Sequence, residues 1–290
     1  MSSIALNHLE GDLCSGSNPN GKTEKDHVLV SVVMPCLNEA RTVEACIKQA
    51  RDGCEASKSA NTSRERNRST HTAESIELCF ESEYEIIVAD NGSTDGSQDI
   101  AERAGARVVS IAERGYGAAL LGGIAAARGK YIVMGDADCS YDFGEVPRFV
   151  AKLEEGFDLV MGNRFAGEIK PGAMPWLHRY VGNPLLSGLG RLLYRPNCRD
   201  FHCGLRAFRR KSIDSLGLVC PGMEFAAELI IRSAQAKLSV SELAITLYPD
   251  GRDRPPHLRC FRDGWRHLVL LIRCYFSFTR SPVFLTKQEN

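Results

Sequence analysis

The 290-residue chain carries no net charge, no long apolar run and only two tryptophans. Its 36 lysines and arginines balance 36 aspartates and glutamates, which argues against a surface that binds nucleic acid through overall positive charge. Because no stretch of about 20 apolar residues is present, the sequence predicts no membrane-spanning helix. The first 22 residues are polar, so no secretory signal is expected either.

The eleven cysteines are irregularly spaced, and no two of them form a C-x-x-C pair. This pattern is typical neither of a common zinc site nor of a disulfide framework. We therefore expect reduced thiols and a cytoplasmic protein. The hydrophobic content of 43% is enough for a substantial core, which excludes disorder throughout the chain.

Strand and helix patterns alternate at short spacing between residues 28 and 161. Val28 to Pro35 is almost continuously apolar and rich in valine, which is typical of a buried parallel strand. The alternation predicts an α/β fold, a Rossmann-like three-layer sandwich with a mostly parallel central sheet. Further strands are predicted at 84–89, 107–111, 131–134 and 158–161, with helices at 40–51, 93–104, 118–128 and 144–155 between them.

Outside this region the pattern is less regular. Residues 1–27 have the composition of a disordered tail, and residues 52–75 that of a flexible insertion. Helices at 175–194 and 222–236 and a strand at 238–248 complete a predicted domain over residues 28–250. The remaining segment, 251–290, is basic and contains a short amphipathic stretch.

Three polar clusters directly follow predicted strands. They are Asn38-Glu39, Asp90-Asn91-Gly92 and Asp136-Ala137-Asp138. Such residues also make turns and helix caps, but three clusters at the carboxyl edge of one sheet favour a ligand site. The two aspartates at 136 and 138 have the spacing to hold Mg²⁺ together with substrate phosphate oxygens.

Two further patterns leave alternatives open. The glycines of the segment 114–129, Gly117 among them, suit either a phosphate-binding loop or a helix packed closely on the sheet. From residue 164 to residue 211, ten basic residues stand against two acidic ones. These arginines suit the phosphates of a donor and an acceptor, or equally an anionic membrane surface.

The motifs together resemble family 2 glycosyltransferases, most closely the branch with dolichyl-phosphate mannose synthases and polyprenyl-phosphate glucose synthases. The resemblance covers roughly residues 28–270 and rests on VVMPCLNEA, VADNGSTDGS, RGYGAALLGGIAAARGKYIVMGDAD, GNRF, DFHCGLRAFRR and MEFAAELIIRS. It implies a GT-A fold and an inverting hexosyltransferase that uses Mg²⁺ or Mn²⁺. The implied donor is a UDP- or GDP-linked nucleotide sugar, and the implied acceptor is a polyprenyl (dolichyl-type) phosphate.

The same resemblance implies roles for individual residues. Asp136 and Asp138 would hold the metal and the diphosphate, with Ala137 between them, and Arg164 and Arg206 would lie near the sugar and phosphates. Arg206, Glu224 and Glu228 would lie on the acceptor side. The remaining nucleotide-sugar contacts would come from Pro35, Asn38, Glu39, Asp90, Asn91, Gly92 and Gly117.

The chain also departs from the family pattern. Cys139 stands where relatives often have a third acidic residue after the aspartate pair. The chain stops soon after FRDGWRHL, where many members of the branch continue into transmembrane helices. A soluble form and a truncated product are open alternatives, but we expect a peripheral protein at the cytoplasmic membrane face, with residues 265–278 as an amphipathic anchor. The alternatives are a family 2 enzyme with a glycan or other lipid acceptor, and an inactive relative that binds nucleotide sugars.

Overall fold

A computed structural model describes residues 28–64, 83–253 and 260–280, with side chains for 28–56, 84–253 and 262–276. The described residues form one seven-stranded sheet in the order β3-β2-β1-β4-β6-β5-β7. β6 runs antiparallel to β4 and β5, whereas the other neighbouring strands in this sheet are parallel. The strands are β1 Val28–Cys36, β2 Glu83–Asp90, β3 Arg107–Ser110, β4 Tyr131–Met134, β5 Leu159–Ile169, β6 Arg206–Arg209 and β7 Val240–Leu247.

Helices cover both faces of this sheet. They are α1 Val43–Arg64, α2 Ser97–Arg103, α3 Tyr116–Ala126, α4 Val146–Glu154, α5 Asn183–Tyr194, α6 Arg210–Asp214, α7 Phe225–Gln235 and α8 Cys260–Arg280. α1, α2 and α4 pack on one face, where Val32 of β1 joins their core. α3, α6 and α7 pack on the other face against the neighbouring Val33. The three-layer α/β sandwich that the sequence predicts is therefore confirmed.

The burial of the central strands explains why the sheet can be predicted from the sequence. Val30, Val32 and Val33 of β1 are fully buried, as are all four apolar residues of β4. Strands covered on both faces need apolar side chains at every position, and β-branched residues suit the pleated backbone. β1 lies between β2 and β4, so its carboxyl end is central to the edge where the polar clusters lie.

Several predicted boundaries need correction. α1 continues to Arg64, so the first half of the predicted insertion at 52–75 is helical, and its remainder lies outside the described residues. The predicted helix at 175–194 contains a π-helical turn at His178–Gly182 before α5 begins. β5 is much longer than its predicted four residues, and β6 was not predicted as a strand. The predicted disordered tail, 1–27, also lies outside the described residues.

The C-terminal helix α8 packs on the domain through its side chains. Leu271 of α8 joins a small core with Ala227 and Ile231 of α7. The Tyr194 hydroxyl at the end of α5 donates to the Leu271 carbonyl at 2.6 Å. No helix in the described part of the chain combines the length and the apolarity needed to cross a membrane. The predicted division at residue 250 stays a prediction.

Candidate functional site

The three polar clusters meet at the carboxyl edge of the sheet. Cys36 at the end of β1 is in register with Asp90 at the end of β2, and Val33 is in register with Met134 at the end of β4. The Asn91 amide donates to the Cys36 carbonyl at 2.8 Å, which joins the first two loops. The site is therefore assembled from residues more than 90 positions apart, as expected at the carboxyl ends of parallel strands.

The aspartate pair follows β4 in a tightly held loop. One carboxylate oxygen of Asp138 accepts from the Ser140 amide at 3.0 Å and from the Ser140 hydroxyl at 2.6 Å. The Thr42 hydroxyl donates to the Ala137 carbonyl at 2.7 Å, which fixes the loop to the start of α1. Since both ends of the loop are held, the Asp138 carboxylate has a defined direction.

Asp136 lies between Tyr116 and the backbone of Gly204. The Tyr116 side chain hydrogen-bonds to it, and a Cβ at Gly204 would lie 2.6 Å from its Oδ2. Burial, and then the neighbouring Asp138 carboxylate, raise the pKa of Asp136 to about 6. The carboxylates of Asp136 and Asp138 repel each other, so a cation between them would be favourable.

An arginine from the C-terminal part of the chain reaches the same carboxylates. Arg252 Nε lies 2.9 Å from Glu39 Oε1, and Arg252 Nη2 lies 2.9 Å from Asp138 Oδ2. The Gly251 amide also donates to the Asp138 carbonyl at 2.8 Å. Burial alone would lower the pKa of Arg252, but the carboxylates of Asp138 and Glu39 outweigh it and raise that pKa. Arg252 is not among the predicted site residues, because no sequence pattern connects residue 252 with residue 138.

The loops after β1 and β2 brace each other. Asn38 adopts a left-handed backbone conformation (φ +58°), and its side-chain oxygen accepts from the Thr94 amide at 2.8 Å. The Ser93 hydroxyl accepts from the Asn38 amide at 2.8 Å, and the Ser97 hydroxyl accepts from the Glu39 amide at the same distance. Pro35 precedes this loop as part of β1. These contacts hold the loop that carries Glu39 against the loop that follows β2.

The side chains of Asp90 and Asn91 form hydrogen bonds within the loops that follow β2 and β3. The Asp90 carboxylate accepts from the amides of Gly92 and Ser93 and from the Gln98 side chain. Asn91 donates to the carbonyls of residues 111 and 113 and accepts from the amide of residue 115. Gly92 has a φ of +89°, and the Arg114 guanidinium lies against it where a Cβ would stand.

Arg206 and Arg164 do not fit the expected role of binding substrate phosphates. Arg206 is fully buried, and its guanidinium donates to the carbonyls of Cys203, Ala226 and Phe201 at 2.6–3.0 Å. Arg164 forms two 2.7 Å hydrogen bonds with the buried carboxylate of Asp200. Both guanidinium groups are thus occupied inside the protein, where they hold the segment 200–206 in place.

Gly117 and Glu228 also require correction. Gly117 is buried at the start of α3, and a Cβ there would lie 2.1 Å from the Cys220 carbonyl oxygen. Its lack of a side chain serves close packing, which is the second of the two alternatives for the glycine segment. Glu228 is buried and accepts from the amides of Val219 and Cys220 at 3.0 and 2.8 Å. It therefore fixes the loop before α7 and does not face an acceptor.

Glu224 lies near two histidines that are not among the predicted site residues. The rings of His202 and His267 stack with centroids 4.9 Å apart, and burial lowers the pKa of both. Glu224 contributes favourable charge to His267. The buried atoms Glu224 Oε2, His202 Nε2 and His267 Nε2 have no hydrogen-bond partner among the described residues. Such atoms are costly to bury alone, so this cluster has spare capacity for a polar ligand.

The aspartate pair suits a hard divalent cation. No three His, Cys, Asp or Glu side chains form a complete metal site within residues 28–64, 83–253 and 260–280. Mg²⁺ is commonly held by one or two carboxylates, with substrate phosphates and water completing its shell. The Arg252 guanidinium already pairs with Asp138 in this structure, which shows that the carboxylate attracts a cation. Asp136 and Asp138 therefore fit such an ion, with the other ligands supplied by substrate.

Comparison with known proteins finds hexose-transferring enzymes among the relatives of this chain. The hexosyltransferase Agl6 of low-salt glycan biosynthesis from Haloferax volcanii is 37% identical over 244 residues, or 84% of this chain and 53% of that protein. The chain thus spans about half the length of that relative. The dolichyl-phosphate hexose transferase of the same organism is 31% identical over 172 residues, covering 59% of this chain and 72% of that protein.

Solved structures agree at the level of the fold. Glucosyl-3-phosphoglycerate synthase from Mycobacterium tuberculosis, solved with Mn²⁺, UDP and glucosyl-3-phosphoglycerate, superposes with a TM-score of 0.57. It is 24% identical and covers 91% of this chain and 87% of its own. The family model described as Glycosyl transferase family 2 matches residues 31–217, which is more than half of the sequence. The chain therefore belongs to glycosyl transferase family 2.

Proposed function

We propose that this protein is an inverting, metal-dependent hexosyltransferase that moves a hexose from a UDP- or GDP-linked sugar to a polyprenyl phosphate. The observation that carries the proposal is the aspartate pair at the end of β4, with Arg252 bound to Asp138 and Glu39. This arrangement suits a leaving diphosphate, because both a metal and a guanidinium can neutralise its charge. The similarity to a dolichyl-phosphate hexose transferase supports the acceptor class.

The residues divide the work of the reaction. Asp136 and Asp138 would hold the divalent cation, whose chemistry is to neutralise charge on the departing nucleoside diphosphate. Arg252 would move from the carboxylates to the diphosphate oxygens when substrate binds. The loops that carry Asn38, Glu39 and Asp90 would bind the nucleoside. An acceptor phosphate is anionic at neutral pH, so the reaction needs alignment and charge neutralisation more than a general base.

The acceptor side is assigned to the cluster of Glu224, His202 and His267. Its three unpartnered atoms could accept hydrogen bonds from the hydroxyls of the hexose that is transferred, and a histidine nitrogen that carries a proton could donate one to the acceptor phosphate. Arg206 would act as a positioning residue, since it bonds the carbonyls on both sides of His202. In this view Arg206 determines where His202 lies without contacting substrate.

The surface of α8 supports an encounter with a membrane. Asp263, His267 and Leu271, spaced four apart, are buried, whereas Trp265, Val269, Ile272 and Phe276 form an exposed stripe. Trp265 is 66% exposed and Phe276 57%, and exposed arginines 262, 266 and 273 accompany the stripe. A helix with its apolar stripe facing outward and arginines beside it suits the interface of an anionic bilayer. Leu185 and Leu192 of the adjoining α5 are also exposed.

A flotation experiment with anionic vesicles tests the membrane contact. Wild-type protein should rise with phosphatidylglycerol vesicles at low salt, and a Trp265→Glu/Phe276→Glu variant should remain at the bottom. Val219→Glu is the matched control, because Val219 is equally exposed but lies between α6 and α7. Equal flotation of wild type and the double variant would contradict an α8 contact.

A donor and acceptor panel tests the reaction itself. Purified protein is incubated with UDP- or GDP-hexoses, a short polyprenyl phosphate and Mg²⁺ or Mn²⁺, and the lipid is analysed by mass spectrometry. The expected product is the lipid with one added hexose, and Asp138→Asn should not form it. Transfer only to a glycan or to phosphoglyceric acid would overturn the acceptor class. Failure of every donor to release nucleotide would overturn the enzyme proposal.

A further inference from the structure

Two cysteines face each other next to the aspartate pair. The sulfur atoms of Cys46 and Cys139 are 3.6 Å apart. Cys46 is fully buried on α1, and Cys139 is half-buried directly after Asp138. Three of the other described thiols bond elsewhere: Cys36 to a serine hydroxyl, and Cys198 and Cys203 to backbone carbonyls.

The surrounding backbone keeps the two sulfurs in this position. The Cys139 thiol also lies 3.7 Å from the Thr42 carbonyl, one turn before Cys46 on the same segment. Cys139 adopts a left-handed conformation with a φ of +64°, which sets the direction of its side chain. A disulfide has a sulfur–sulfur length of about 2.05 Å, so the two atoms would need to approach by roughly 1.6 Å.

We propose that Cys46 and Cys139 form a reversible disulfide, so that this pair is a redox modification site beside the aspartate pair. The oxidant is a peroxide, which reaches the half-buried Cys139 first. The Cys139 sulfur attacks one oxygen of hydrogen peroxide, leaving a sulfenic acid and one water. The Cys46 sulfur then displaces that oxygen as a second water and loses its proton. Two thiols give up two electrons, and one peroxide becomes two waters.

The disulfide would act on the neighbouring carboxylate. Asp138 is joined to Cys139 by one peptide bond, while its carbonyl is held by the Gly251 amide. A disulfide would draw Cys139 towards α1 and strain the hydrogen bond between the Gly251 amide and the Asp138 carbonyl. The Asp138 carboxylate would then turn away from its present direction. On the proposed function, oxidation therefore lowers Mn²⁺ affinity and turnover, and a thiol reductant restores both. This consequence rests on the proposed function, whereas the disulfide itself does not.

Peptide mapping tests the disulfide directly. The full-length protein is treated with hydrogen peroxide, its remaining thiols are blocked with N-ethylmaleimide, and it is digested without reductant. We expect a cross-linked species joining the peptides of Cys46 and Cys139, 2 Da lighter than their sum, which dithiothreitol removes. Cys46→Ala should abolish it, and Cys54→Ala, a buried cysteine on the same helix, should not. Maleimide on both Cys46 and Cys139 after oxidation would overturn the proposal.

Metal binding and turnover test the consequence. Mn²⁺ binding is followed by electron paramagnetic resonance, and nucleotide release is measured on the same samples. Wild type should lose at least tenfold in both on oxidation and regain both with dithiothreitol, whereas Cys46→Ala should keep both. A disulfide that forms without either loss would refute the regulatory effect. A reduced protein without activity would refute the proposed function, while the peptide map would still decide the disulfide.

Discussion

The pair Arg164–Asp200 offers a direct test of whether the arginines of the second half are structural. Both side chains are buried, and two hydrogen bonds of 2.7 Å join them. The Asp200 carboxylate also accepts from the backbone amides of Arg164 and His202. Asp200→Asn keeps the shape of the side chain but removes its charge, which leaves a buried guanidinium without a counter-ion.

The expected cost is large because the pair is shielded from water. Breaking one partner of a buried pair typically costs about 3–5 kcal/mol, which for a domain of this size lowers the Tm by roughly 6–20 °C. Thermal unfolding followed by far-ultraviolet circular dichroism measures this change. Glu168→Gln is the control on the same strand, because its ion pair with Lys170 is solvent-exposed and little change is expected. Replacing both charges, Arg164→Met/Asp200→Asn, should recover part of the loss, because the asparagine oxygen can still accept from the backbone amides.

The same pair predicts a pH dependence with a definite sign. Burial alone would raise the pKa of Asp200, but the guanidinium of Arg164 outweighs it and holds that pKa below its usual value. The stabilisation is therefore complete above the unfolded pKa of about 4 and is lost as pH falls through the lower folded value. Asp200→Asn should lack this part of the acid sensitivity. A decrease of less than about 1 kcal/mol in the unfolding free energy of Asp200→Asn at pH 7 would refute the reasoning, since it would mean that Arg164 is solvated and available to a ligand.

Three other substitutions separate catalytic from structural roles. Asp138→Asn should lower kcat by at least about 10²-fold, measured as nucleotide release, with an unchanged circular dichroism spectrum; normal turnover with added Mg²⁺ would reject the assignment. Gly117→Ala should destabilise the protein by about 1–3 kcal/mol in urea unfolding, because its Cβ would meet the Cys220 carbonyl, and an unchanged midpoint would contradict that packing. Glu228→Gln should lower the Tm but leave the KM for the nucleotide sugar unchanged, because its carboxylate holds the amides of Val219 and Cys220; a raised KM with normal stability would return it to the binding site.

The sequence predicted the sheet and the aspartate pair because both leave a local pattern. A strand covered on both faces must be apolar throughout, and Asp136 and Asp138 follow such a strand directly. The antiparallel β6 gave no comparable signal, since Arg206 and Arg209 at its two ends look polar. Their guanidinium groups are satisfied by backbone carbonyls, which no residue pattern reveals.

The arginines show why charge in a sequence does not by itself locate a binding site. The excess of positive charge between residues 164 and 211 suited either bound phosphates or an anionic membrane surface, but a sequence does not show how deeply a side chain is buried. Arg164 and Arg206 turn inward and brace the segment that carries His202. Only the sheet order, which places β6 between β4 and β5, brings that segment beside Asp136.

The chain beyond β7 connects the aspartate pair with the exposed apolar stripe of α8. Arg252 ends on the carboxylates of Glu39 and Asp138, and α8 then carries His267 inward and Trp265 outward within a single turn. A helix bound to a membrane through Trp265 would therefore hold His267 at a fixed depth beside Glu224. If the acceptor is a lipid phosphate, the same helix can align the protein with the bilayer and position one wall of the site. Such a link would explain why the polar residues Asp263 and His267 are buried on α8 beside Leu271, while Trp265 and Phe276 are exposed, since an ordinary surface helix turns its large apolar residues towards the core.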